Sequence, residues 1–272
     1  MENKILKGGL RLKNVFKSHS SSKPLVSIIT VVLNNEKYLQ ECLDSLHAQK
    51  YKNYEHIIID GGSTDNTIEI IKKNENKIDY WISERDRGIY DAFNKGMDLA
   101  KGDYLGFLNS DDIYYSENTL NYVVDAFKNN LNIDFLYGPV KKHWALLHGY
   151  KPWKIYFTWG FYTSHSTGFF IKNSSAKIVG KYNLKYKFSS DYDYFFRMIV
   201  KKKLKGIGIS KDKIFARLLG FIVSFLFDFI LKCKNNGSSG LAHFADEKAN
   251  CDTLCMTLSI GILLYVPLMF GF

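Results

Sequence analysis

Apolar residues along this chain arrive in short β-rich runs. Each run is closed by a polar residue and followed by apolar positions at helical spacing. Residues 26–33 (VSIITVVL) form the first run, which predicts a strand buried on both faces. Asn34-Asn35-Glu36 closes it. Leu39, Cys42, Leu43 and Leu46 then recur at helical steps and predict an amphipathic helix over 36–48. Residues 54–59 (YEHIII) predict the second strand, ended by Asp60 and the tight turn Gly61-Gly62-Ser63-Thr64-Asp65. Ser63 or Thr64 is the expected cap of a helix carrying Ile68, Ile70 and Ile71. This β-α-β order predicts right-handed crossovers and a doubly wound sheet.

Residues 78–82 predict a short strand leading into Ser83-Glu84-Arg85-Asp86-Arg87-Gly88, a turn that opens a helix through Tyr90, Asn94 and Gly96. Residues 104–108 predict the next buried strand, which ends abruptly at Asn109-Ser110-Asp111-Asp112. A helix over 117–127 with Ser116 as cap, strands at 133–137 and 168–171, and a helix capped by Ser189-Ser190-Asp191 complete the regular pattern. The stretch between, 138–163, is aromatic and irregular, with Trp144, Trp153 and Trp159. Residues 1–23 are polar and basic and are expected to form a loose arm; 24–212 form the α/β domain. Residues 213–272 form an apolar helical tail. Within it 215–231 carries Arg217 and Asp228 and reads as a membrane-surface helix. The uncharged run 253–272 is about 20 residues, long enough to span a bilayer.

The 272 residues carry a formal net charge of +10. That favours anionic partners, whether phosphorylated ligands, an acidic membrane surface or nucleic acid, and a merely solvated basic surface explains it equally well. Four cysteines, Cys42, Cys233, Cys251 and Cys255, are too few for a disulfide framework, and the apolar runs begin only at Val26, which argues against a secretory leader. A cytoplasmic setting follows, at the inner face of the cell membrane if the tail engages lipid.

Three successive sheet units end in carboxylates: Asp60, Asp86 and the Asp111/Asp112 pair. In an open α/β sheet ligands bind at the carboxyl edge of the strands. Two adjacent acids there make a hard-oxygen site for a divalent cation, Mg or Mn, held against a diphosphate. An ordinary polar turn explains Asn-Ser-Asp-Asp equally well on its own. No Walker loop and no G-x-G-x-x-G stretch occurs, so neither ATP hydrolysis nor dinucleotide redox chemistry is indicated.

Taken together, VSIITVVLNNEKYLQECLDSL, IIIDGGSTDNT, SERDRGIYDAFNKG, GDYLGFLNSDD and SSDYDYFFRM resemble the family 2 inverting glycosyltransferases of GT-A fold, in the branch that builds bacterial surface polysaccharides. The resemblance covers about 24–203. It implies a GT-A type doubly wound mixed sheet with a Rossmann-like nucleotide-binding half. It also implies transfer of a sugar, with inversion, from a nucleotide-diphosphate sugar such as a UDP-sugar to a hydroxyl of a glycan or lipid-linked acceptor, with no nucleic acid partner. By the same resemblance Asn34, Glu36, Asp60, Asp86, Gly88, Asn94, Ser110 and Asp111 are donor-binding, Asp111 and Asp112 hold the metal, Asp191 is the catalytic base and His165 lies on the acceptor side. Asn109 stands where relatives carry the first Asp of the metal motif. Phe93 stands where many carry Arg, which leaves a diphosphate contact to Arg85, Arg87 or Lys95. Asp191 as a plain helix cap, and Asp193 as base in its place, remain open. A nucleotidyltransferase making nucleotide sugars would need a Gly-rich basic loop after the first strand, and 33–36 is not one. A non-catalytic membrane-associated scaffold would have little use for the edge acids.

Overall fold

The computed structural model describes residues 5–142, 145–147, 166–187, 189–210 and 212–218. The chain opens with a short strand, β1 (Leu6–Gly8), which pairs antiparallel with β4 (Tyr80–Ser83). The expected loose arm is thus docked from residue 5 onward. Several contacts hold it, among them a backbone hydrogen bond and a buried ion pair. Leu10 N–H donates to the Ile78 carbonyl at 3.0 Å and Arg11 Nη2 reaches Glu55 Oε2 at 2.5 Å. Its high charge misled because Arg11 faces a buried carboxylate rather than water.

The main sheet has eight strands in the order β1-β4-β3-β2-β5-β10-β7-β11. β2 (Val26–Val32), β3 (Tyr54–Asp60), β4 and β5 (Tyr104–Phe107) run parallel. β10 (Phe169–Lys172) is antiparallel to β5 and to β7 (Phe135–Tyr137), and β11 (Gly206–Gly208) is parallel to β7. The sheet is therefore mixed. Even positions of β2, Val26 and Ile28, enter one buried cluster, and odd positions, Ile29 and Val31, enter another. That is the two-sided burial expected of a central parallel strand.

α1 (Leu39–His47), α2 (Thr67–Lys73), α3 (Ile89–Leu99) and α4 (Thr119–Asn129) follow their strands as predicted, with α1, α2 and α4 starting two or three residues late. Neither Ser63 nor Thr64 caps α2. Asp65 Oδ1 accepts the Thr67 N–H at 3.0 Å, while Ser63 Oγ turns back to Asp60 Oδ1 at 2.5 Å. Gly96 lets α3 lie against β2, since a Cβ there would sit 2.3 Å from Ile29 Cγ2. α5 (Asn173–Val179) and α6 (Ser190–Phe196) complete the described helices, with a π-helical turn at Arg197–Lys201.

A second sheet has the order β6-β12-β8-β9, from β6 (Asp112–Tyr114), β8 (Val140–Lys142), β9 (Ala145–Leu147) and β12 (Ala216–Leu218). The tail was expected to begin at 213 as helix; Ala216–Leu218 is instead a strand of the domain. Phe215 is buried against Phe170, ring centroids 5.8 Å apart, so its apolar character belongs to the core. Residues 219–272, with the expected membrane-surface and spanning segments, lie outside the described residues. Among the described residues no helix is long and apolar enough to cross a membrane.

Candidate active site

Parallel register aligns the strand ends: Val32 of β2 faces Asp60 of β3, which faces Ser83 of β4. The loops that follow are stitched together by the polar residues closing each strand. Asn34, at φ 50°, donates its N–H to Ser63 Oγ and accepts the Thr64 N–H at its Oδ1, both at 2.8 Å. Glu36 Oε2 accepts the Asn66 N–H at 3.0 Å. Asn35 Nδ2 donates to Ser110 Oγ at 2.9 Å, tying the first loop to the acidic motif.

Asp60 is fully buried. Its Oδ2 accepts the N–H groups of Gly62 and Ser63 and the Ser83 hydroxyl, at 3.0, 2.9 and 2.6 Å. With the Ser63 hydroxyl on Oδ1, this carboxylate builds the 61–63 turn. That turn, with Leu33, Ile68, Ser83, Glu84, Arg85 and Asp86, lines a cleft of about 490 Å³. Asp86 is half-buried on the far wall. A Cβ on Gly61 would lie 2.6 Å from its Oδ2, so a side chain there would push this carboxylate aside. Burial pushes the Asp86 carboxyl above its ordinary pKa, with Asp91 and Asp60 adding to the shift; the Gly88 N–H, 2.9 Å from Oδ1, and Lys95 oppose it. Gly88, at φ 112°, takes the left-handed backbone needed to turn into α3.

Of the cationic candidates, Arg87 reaches Asp91 Oδ1 at 3.1 Å and Lys95 reaches Glu84 at 2.7 Å, whereas Arg85 lines the cleft. Asn94 is buried and exchanges two hydrogen bonds with the Tyr182 backbone, at 3.0 and 2.8 Å, so it anchors α3 to the chain before α6.

At the acidic motif the neighbours differ. Asp112 is 1% exposed and accepts the Thr167 hydroxyl. Asp111 is only partly buried. Ser110 is buried on Asn35. Asn109 Nδ2 donates to Ser166 Oγ at 3.1 Å, while its Oδ1 is buried without a hydrogen-bond partner. Among the described residues no cluster of three His, Cys, Asp or Glu side chains is arranged around one point. The donor set still fits a hard cation that keeps waters and shares a diphosphate: the Asp111 carboxylate and the orphaned Asn109 carbonyl are both hard oxygens.

Asp191 stands in the first turn of α6, exposed, with Oδ1 accepting the Tyr192 N–H at 2.8 Å and the Tyr90 hydroxyl at 3.2 Å. Tyr90 belongs to the first turn of α3, two residues after Gly88. It stacks on Tyr182 (5.6 Å), which stacks on Tyr194 (4.4 Å). The pile of rings joins the start of α3 to α6 and brings Asp191 to the edge that carries Asp86. Asp193 is committed elsewhere, to Arg197 Nε at 2.8 Å. His165 and the three tryptophans of 138–163 lie outside the described residues. Sequence reasoning missed Tyr90, Thr167 and Asn35. Tyr90 sat inside a quoted motif; Thr167 carries no local signal.

The family model described as Glycosyl transferase family 2 matches residues 27–218. The chain belongs to glycosyl transferase family 2. An uncharacterized glycosyltransferase of Mycobacterium tuberculosis is 32% identical over 65% of this chain and 70% of its own length. A PGL/p-HBAD biosynthesis glycosyltransferase of Mycobacterium bovis is 28% identical over 90% of both. Among solved structures, Staphylococcus aureus TarS 1–349 in complex with UDP-GlcNAc matches with TM-score 0.59 at 20% identity, over 72% of this chain; the chain spans 58% of that structure. The mannosyltransferase PcManGT of Pyrobaculum calidifontis, in complex with GDP-Man and Mn2+, matches with TM-score 0.58 at 16% identity over 84% of this chain and 70% of its own. The mixed α/β architecture of this family 2 glycosyltransferase is thus that of the GT-A fold.

Proposed function

We propose that this glycosyltransferase moves a sugar from a nucleotide-diphosphate sugar to a hydroxyl of a glycan or lipid-linked acceptor, with inversion, in building a surface polysaccharide. The donor's base and ribose would occupy the cleft between the 61–63 turn and Asp86. Asn34, Glu36 and Asp60 brace the turn and helix entry behind this cleft, Ser110 ties the first loop to the acidic motif, Asn94 holds α3 in place, and Gly88 would turn the chain into α3 beside the diphosphate. Arg85 would meet a phosphate. TarS in complex with UDP-GlcNAc supports a UDP-sugar and the PcManGT complex a divalent cation, each as a property of those proteins.

Asp111, with Asn109 Oδ1, would hold Mg or Mn, and Asp112 would support that loop from beneath through Thr167. When bound, the cation supplies Lewis-acid stabilisation of the departing diphosphate. Asp191 takes the proton of the acceptor hydroxyl as that oxygen attacks the anomeric carbon. A positioned base contributes about 10²–10⁴-fold. Attack from the face opposite the leaving diphosphate inverts the sugar.

The observation that carries this reading is the Tyr90–Asp191 hydrogen bond, which ties the proposed base to the helix entered from the Asp86–Gly88 loop. The test is a mass-spectrometric screen of purified protein with nucleotide sugars and lipid-linked acceptors, with and without chelator, followed by Asp191→Asn. The variant is expected to fold, bind donor and lose about two to four orders of magnitude in transfer. Near-normal transfer by the variant, or a product retaining the donor's anomeric configuration, would reject it.

A further inference from the structure

The two ends of the main sheet carry opposite charge. Asp60, Asp86 and Asp111 lie at the carboxyl ends of the parallel strands. The amino ends collect lysines. Lys101 precedes β5 and lies 4.6 Å from the Phe16 ring. Lys128 bonds the Ser22 carbonyl at 2.6 Å, and Lys172 bonds the Leu131 carbonyl at 2.8 Å. Lys201, Lys203 and Lys205 lie just before β11, exposed, and no ion pair among the described residues engages them. Two of the acids at this end are occupied, Asp103 by His19 and the Leu25 N–H and Asp134 by Ser175 and the Lys205 N–H, and exposed Asp125 is outnumbered by the lysines.

Apolar side chains stand out among these lysines. Leu131 is 77% exposed, Phe16 56% and Leu12 51%. A groove of about 550 Å³ runs beside Leu131, lined by Ile133, Ile199 and Leu204 and flanked by Lys203 and Lys205. Three contacts make this one face: Phe16 meets Lys101, Lys172 pairs in register with Tyr104, and the Asp134 N–H reaches the Lys205 carbonyl at 2.7 Å.

We propose that this end of the domain docks on an anionic bilayer surface, lysines at the headgroups and Leu131, Leu12 and Phe16 in the interface. Lysine crowns studded with exposed apolar side chains are the pattern of interfacial binding. A second copy of the chain is disfavoured because it would bring like charges together. Docked this way, the transfer edge stands above the lipid by the length of β2, about 23 Å for seven residues. The enzyme then meets a glycan already several sugars long rather than the sugar attached to its lipid.

The test is flotation of the full chain with phosphatidylcholine vesicles and with vesicles that also contain phosphatidylglycerol, at low and high salt. Comparing the two lipids isolates this face from any charge-independent anchoring by other segments. Anionic vesicles are expected to bind more tightly, and high salt to remove the difference. Each lysine near such a surface is worth about fivefold. The triple variant Lys201→Glu, Lys203→Glu, Lys205→Glu should therefore lose at least about a hundredfold, and Leu131→Asp about tenfold, with melting temperature and UDP binding unchanged. Equal binding to both lipids, or a triple variant that binds like the parent, overturns the proposal. So does retention on a duplex oligonucleotide without vesicle binding.

Discussion

Asp86→Asn should make the protein more stable and a poorer binder of its donor. The wild-type carboxylate is half-buried and faces Gly61. Burial, then the negative charges of Asp91 and Asp60, raise its pKa; the Gly88 N–H and Lys95 recover only part of the cost. An acid whose folded pKa is raised binds its proton more tightly in the fold, so its ionisation penalises the fold at neutral pH. The amide has no charge to penalise, and its Oδ1 can still accept the Gly88 N–H. Because Asp86 is partly exposed, the gain is screened to at most about 1 kcal/mol, or about 2–4 °C in melting temperature for a domain of this size. The gain is full above the raised folded pKa and vanishes as pH falls through it toward the ordinary carboxylate value; other titrating groups are common to both proteins and cancel in the difference. Donor binding should move the other way. A lost hydrogen bond to a charged group is worth about 1.5–3 kcal/mol, roughly ten- to hundredfold in affinity. Thermal melts across pH and titration calorimetry with UDP read both quantities. A variant less stable at neutral pH, a gap that widens in acid, or an unchanged affinity each refutes the reasoning.

Arg11→Ala should cost about 3–5 kcal/mol, because it leaves Glu55, 3% exposed, charged without its cation; adding Glu55→Gln should restore most of it, as chemical denaturation can show. Tyr90→Phe should keep fold and donor affinity while lowering turnover about tenfold, because it removes the hydroxyl that helps orient Asp191; steady-state kinetics that change KM and leave kcat intact would contradict that role. Burial holds His47 near pKa 4 and also lowers His56 well below 6.5. A histidine kept neutral in the fold stabilises it above the unfolded pKa, so stability should fall as pH drops from about 6.5 toward about 4, and His47→Gln should flatten that slope in pH-dependent melts.

The parallel half of the sheet was legible because its strands are buried on both faces and its helices are amphipathic, so local pattern and tertiary environment agree. Boundaries drifted where a side chain had a partner far away in sequence. Ser63 looked like a cap for α2, yet Asp60 is nearer and carries a charge, so Asp65 takes the helix. The basic arm looked solvated, but Glu55, 44 residues from Arg11, draws it in. Phe215 looked like the start of a membrane-surface helix. Its neighbours Phe170, in β10, and Gly138, between β7 and β8, are far away in sequence, and nothing near residue 215 announces them. Short strands such as β6 and β12 hold three residues each, too few for any period to show.

The edge acids were visible in sequence as one class, and their division of labour comes from burial. A carboxylate can hold a loop or meet a ligand, but the two tasks need different surroundings. Asp60 and Asp112 are fully buried and offset their lost hydration with donors from the protein: backbone N–H groups and hydroxyls for Asp60, Thr167 for Asp112. Asp86, Asp111 and Asp191 stay within reach of water. A nucleotide-diphosphate sugar brings its own negative charge, so an edge of reachable acids alone would repel it. Holding Asp60 on four donors spreads its charge over the 61–63 turn. The arrangement leaves Arg85 in the cleft and the Asp111 loop for a cation. In the proposed chemistry that cation is what allows two anions, donor and protein, to share one edge. Asp191 reaches this edge from a different element, α6, through its hydrogen bond to Tyr90. The Tyr90, Tyr182 and Tyr194 rings thereby join the helix of the proposed base to the helix that follows the Asp86 loop.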